Sequence, residues 1–171
     1  MILKMKLLAV GVLSGFALLA VVPATVNAHG NYEEPSGSNI VETAVAINKE
    51  TGEFSTLIAA VSCTNLVNRL QNEHREFTVF APTDAAFAKL GLNAGNVCTS
   101  FDKPTLSNIL RYHVTRGSKS AEEVLSCNRL IMLNHQRADI VGATIDGQNI
   151  IQTDVKASNG IIHVIDGVML P

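Results

Sequence analysis

The chain has 171 residues, 47% of them hydrophobic and 16% charged, with a formal net charge of −2. A mildly acidic chain with no basic stripe argues against nucleic acid and anionic lipid surfaces as partners. It contains no Trp, and aromatic residues make up 5%, so no stacking platform for sugars is legible.

Residues 1–28 read as a cleavable secretory leader. Lys4 and Lys6 precede an uncharged apolar run from Leu7 to Val22, Pro23 ends it, and Val26-Asn27-Ala28 provides the residues before a cleavage point. The run is shorter than the ~20 residues of a spanning helix, and no Cys lies near the cleavage point for lipid attachment. Removing the two leader lysines takes the formal charge from −2 to −4 and leaves the length of one ordinary domain. The expected destination is the periplasm or the extracellular space.

Residues 29–38 are polar, with Gly30, Pro35 and Gly37, and read as a short flexible leader to a domain spanning 39–171. From Asn39 the pattern is helical: Ile40, Ala44 and Ile47 share one face, and Thr51-Gly52 breaks the run. Phe54, Leu57, Ala60 and Val61 repeat that spacing, as do Leu66, Val67 and Leu70. Asn72 to Glu76 is a charged turn leading into Phe77-Thr78-Val79-Phe80, whose β-branched and aromatic residues favour a buried strand. Pro82 blocks further ladder pairing and Thr83 is a helix N-cap. Asp84 sets a carboxylate against the positive helix end, Phe87 and Leu90 share a face, and Gly91 is a stop.

A polar loop is expected to Asp102, then a helix with Pro104 at its first position and a stripe of Leu106, Ile109, Leu110 and His113. Ser120 with Glu123 makes a capping box before Val124 and Leu125. The remainder is β-like: Leu130–Leu133, a hairpin of Ala143–Ile145 and Asn149–Ile151 around Asp146-Gly147, then Asp154–Lys156 and Ile161–Ile165. Helices lead and strands follow, which predicts an α+β domain instead of alternating βαβ units.

Three cysteines in an oxidising compartment predict one disulfide and one leftover thiol. Cys63–Cys98 is favoured because both lie at the ends of elements; the other two pairings stay open. Cys127 then stays free, or joins two copies as a dimer.

The run Thr78-Val79-Phe80-Ala81-Pro82-Thr83-Asp84-Ala85-Ala86-Phe87 resembles the first signature of the fasciclin domain family. Asn159-Gly160-Ile161-Ile162-His163-Val164-Ile165-Asp166 resembles the second, and Tyr112-His113 between them resembles the family's Tyr-His motif. Three matches in the family's order are far more specific than one. The resemblance implies a twisted β-sandwich or wedge with several helices packed along one side, and a module of adhesion or matrix interaction. In animal matrix members the Tyr-His region is associated with integrin binding, together with an Asp-Ile pair before the second signature. This chain has Asp154-Val155 there, and no Arg-Gly-Asp; the short leader and single compact domain look bacterial.

No Gly-x-Ser-x-Gly elbow, phosphate-cradling glycine loop or His-Glu-x-x-His helix is present, so no catalysis and no cofactor are expected. Thr78, Phe80, Ala81, Pro82, Thr83, Asp84, Phe87, Asn159, Gly160, His163 and Asp166 are read as mainly structural. His113 and His163 fall on apolar faces and are expected inside, whereas His74 and His135 sit in turns. After cleavage His29 becomes the first residue, where amine and ring could chelate copper given a second imidazole; no partner is identifiable, and no metal site is assigned. The expected contact surface is the end of the Tyr112-His113 helix and the loop 115–119, with Arg111 and Arg116 facing an extracellular protein or acidic polysaccharide and Asp154 as a further contact. An alternative is a carrier of a small apolar ligand, lipid or glycan between helices and sheet.

Overall fold

The computed structural model describes residues 37–171. The leader, most of the flexible segment and His29 lie outside the described residues. Ser38 is already tied to the domain, its carbonyl accepting the Ser158 N–H at 2.8 Å.

Helix α1 (Ile40–Thr51) opens with a capping box between Asn39 and Glu42 and ends at Gly52, whose φ of 74° only glycine adopts without strain. Helix α2 (Ser55–Cys63) and helix α3 (Val67–Leu70) follow. Strand β1 (Phe77–Pro82) is buried along its whole length and passes directly into helix α4 (Asp84–Ala88), capped by the Thr83 hydroxyl as predicted. That helix is shorter than its apolar spacing suggests. The chain turns at Gly91, so Leu92 takes the buried place and Leu90 stays 44% exposed. The loop expected before Asp102 contains a further helix, α5 (Val97–Ser100). In helix α6 (Lys103–Tyr112), Asp102 is the N-cap, which makes Pro104 the second helical residue instead of the first.

Strand β2 (Val114–Arg116), helix α7 (Ala121–Ser126) and strands β3 (Arg129–Ile131), β4 (Arg137–Val141), β5 (Thr144–Ile145), β6 (Gln148–Ala157) and β7 (Gly160–Ile165) complete the order. The Asp146-Gly147 hairpin joins β5 to β6, with both turn residues at positive φ. The two strand segments expected near Ile150 and Val155 are one strand, β6, bent by register shifts between Ile150 and Val155.

The seven strands form one sheet in the order β2-β1-β7-β6-β5-β4-β3. The β1–β7 pair is parallel and every other pair antiparallel. The sheet curls until its two edges approach: Thr115 of β2 bridges Met132, just beyond β3. Strand alternation therefore feeds two cores. Phe77, Val79, Ile162 and Val164 point to the helical side, joining Ile40, Phe54, Leu57 and Leu110. Phe80 and Ile165 point the other way, into the curl, with Tyr112, Val124, Ile145 and Met169. Cys63 and Cys98 are joined by a disulfide, Cα atoms 6.1 Å apart, which ties α2 to α5; Cys127 is the free thiol. The domain is α+β.

Candidate functional site

The loop after β2 is held from beneath by side chains of β1 and β7. The buried Thr78 hydroxyl donates to the Gly117 carbonyl at 2.7 Å and accepts the Lys119 N–H at 2.9 Å. His163, also buried, contacts the Lys119 carbonyl through Nε2 at 3.0 Å and accepts the Asp154 N–H at Nδ1 at 3.2 Å. Those partners assign the proton to Nε2, so the neutral ring is fully used. Burial lowers its pKa, and the ring stacks on Phe80 with centroids 5.5 Å apart. Asp154 adopts φ 59° in the bent part of β6, and its Oδ1 accepts the Ala121 N–H at 2.8 Å, at the start of α7. The Ser120–Glu123 capping box closes the same helix end. The segment expected as a loop, 115–119, is thus the end of β2 and the turn after it, pinned along its backbone while Arg116, the last residue of β2, is exposed and Lys119 is half-exposed.

The Tyr-His motif lies inside. Tyr112 is 4% exposed and its hydroxyl donates to the Arg137 carbonyl at 3.1 Å. Burial raises its pKa, and the nearby Asp146 and Asp139 charges add to that. His113 is 2% exposed. Its Nδ1 donates to the Ile109 carbonyl at 2.8 Å and its Nε2 accepts the Met169 N–H at 3.0 Å. Burial lowers its pKa to about 4, so the ring is neutral near pH 7. Both side chains are buried in the domain, where they join α6, β1 and the C-terminal segment. Asp154 is half-buried, with Oδ1 bonded to the start of α7. Arg111 and Arg116 are both exposed.

The remaining signature residues are structural nodes. Asn159 is fully buried; its Oδ1 accepts the Ile40 N–H at 2.8 Å and its Nδ2 donates to the Leu70 carbonyl at 2.6 Å. At Gly160, φ 153°, an added Cβ would overlap the Phe77 carbonyl oxygen, so only glycine lets β7 approach β1. Asp84 does more than favour its own helix. Its Oδ1 accepts the Thr56 N–H at 2.8 Å, capping α2, whose own N-cap Phe54 has no side-chain acceptor. Asp166 accepts both the backbone and side-chain N–H of Asn149 at 2.9 Å, which lowers its pKa. Phe87 is buried beneath α4, beside Ala81 in the helical-side core.

The fasciclin domain model matches residues 52–171. The chain belongs to the fasciclin domain family. Two relatives of this fasciclin domain come from Synechocystis sp. strain PCC 6803. Protein sll1735 is 40% identical over 136 residues, covering 77% of this chain and 97% of the relative. Protein sll1483 is 37% identical over 186 aligned residues, covering 97% and 96%. Among solved structures, a domain pair from the insect cell adhesion molecule fasciclin I superposes with TM-score 0.63 at 18% identity, over 80% of this chain and 52% of that one. That likeness establishes the wedge-like fold. Sequence reasoning included Lys119 in the expected contact loop but missed Arg129; the clamp on that loop, formed by residues 41 and 44 positions apart, leaves no local signal.

Among the described residues no group of three or more His, Cys, Asp or Glu side chains is placed to hold a metal ion, and no helix is long and apolar enough to cross a membrane.

Proposed function

We propose that this fasciclin domain is a secreted, non-catalytic adhesion or interaction module that contacts extracellular protein or polysaccharide. The observation that carries the reading is the clamped 115–119 loop, whose backbone needs are met from below while Arg116 stands free above. A preorganised surface loop binds without the ordering cost that a flexible one incurs. The disulfide fits an oxidising destination, in keeping with leader cleavage near Ala28. The test is a pull-down of cell-envelope and matrix material with folded protein beside an unfolded control. Saturable capture by the folded form alone is expected; equal capture by both removes the reading.

A carrier role is the second reading, favoured by one feature. A cavity of about 60 Å³ lies between the helices and β1, lined by Ile40, Leu57, Leu66, Val79 and Ile162. Ligand pockets usually offer ~300–1,000 Å³, so a lipid would have to part the helices. Mass spectrometry of the natively purified protein decides: a co-purifying apolar molecule supports the carrier, and a bare chain removes it.

A further inference from the structure

Where the curled sheet brings its edges together, the 115–119 loop and the β3 edge enclose a groove of about 480 Å³. Arg116, Lys119, Arg129 and His135 line it together with the Cys127 thiol, and among the described residues no carboxylate does. This composition runs against a chain that carries 15 acidic and 13 basic residues. Among the described residues the one ion pair is Arg129–Asp139, at 2.6 Å between side chains 62% and 60% exposed. Such an exposed pair is weak and exchangeable. Among the described residues no carboxylate pairs with Arg116 or Lys119. The frame around these cations is rigid: the Thr115 hydroxyl donates to the Ile131 carbonyl at 2.8 Å across the groove, and Lys119 is held through its backbone on both sides. The fold therefore fixes the backbone that carries Arg116 and Lys119 without using their charges, and engages Arg129 only through its exposed pair with Asp139.

We propose that this groove binds an acidic polysaccharide, whose carboxylate or sulfate groups meet Arg116, Lys119 and Arg129. The proposal rests on the adhesion reading and names the partner class for it. A groove takes a single extended chain, whereas a flat bilayer does not enter it. Successive bases would need several stacking rings, and among the described residues His135 is the only ring in the lining.

The test uses the disulfide-bonded protein and polygalacturonate, with neutral dextran, anionic vesicles and single-stranded DNA as comparison arms. Saturable binding to polygalacturonate and none to dextran is expected. It should weaken about tenfold in the Arg116→Gln/Lys119→Gln variant and stay unchanged in Lys49→Gln, an exposed residue of α1 outside the groove lining. Raising salt from about 0.1 to about 1 M, which cuts the Debye length from roughly 10 to 3 Å, should release the chain. Bound polygalacturonate should also slow alkylation of Cys127, a readout that needs no variant. Double-variant binding within about twofold of the parent, or unslowed alkylation, overturns the groove. Tighter binding to vesicles or DNA overturns the polysaccharide. Capture of other extracellular material that both forms share equally would leave the adhesion reading standing while this one falls.

Discussion

The hydroxyl of Thr78 accepts the Lys119 amide at 2.9 Å and, on its donor side, bonds the Gly117 carbonyl. One buried atom thereby fixes a surface loop 41 residues further along the chain. Thr78→Val keeps the shape and removes both bonds, leaving a partly buried N–H and C=O without their protein partners. The expected loss is about 2 kcal/mol in urea unfolding, with faster hydrogen exchange confined to residues 117–119. An unchanged exchange rate at Lys119 would show that His163 alone suffices to hold the loop.

Acid should destabilise the domain earlier than carboxylate titration alone would. His113 is buried neutral with its pKa lowered to about 4, and burial shifts His163 the same way. The unfolded chain takes up these protons near pH 6.5 while the folded one does not. Stability is therefore full above about pH 6.5, falls as pH drops, and the His113 share is spent near pH 4, a span of about 3 kcal/mol. Urea unfolding between about pH 7 and pH 4.5 measures it, and a flat profile would mean that the ring charges at no cost.

Reduction of Cys63–Cys98 releases a loop closed over a sequence separation of 35. The chain-entropy model puts the cost at about 4 kcal/mol. The Cys63→Ser/Cys98→Ser variant should melt well below the parent and match the reduced parent in thermal scans. A smaller loss would indicate that the α2–α5 contact persists in the unfolded chain.

Gly160→Ala is expected to prevent normal folding, because the new methyl would overlap the Phe77 carbonyl and the residue sits at φ 153°. Gly142→Ala, at φ 58° with open space around it, is the control for backbone strain alone. It should cost about 1 kcal/mol. Circular dichroism and thermal scans separate the two, and equal losses would put the Gly160 requirement down to φ and not to close approach.

Much of the fold could be read locally. The caps at Asn39, Thr83 and Ser120, the stop at Gly52 and the Asp146-Gly147 turn each depend on residues within a few positions, and each occurs. The strand alternation of Phe77 to Phe80 likewise predicted two opposite faces, both of which the fold buries. Strands β2 and β4 were missed because segments of three and five residues take their conformation from their partners more than from their own pattern.

Residue types and spacing by themselves determined an α+β domain and an interior place for His113, and the resemblance to the family marked the signature segments. The tertiary structure alone decided what those residues touch. Asp84 caps a helix 28 residues earlier, Asp154 a helix 33 residues earlier, and Thr78 with His163 clamps the loop that carries Arg116. Caps and turns are set by neighbours along the chain. Long-range hydrogen bonds, and the groove of cations between β2 and β3, exist only once the sheet has curled and brought its edges together.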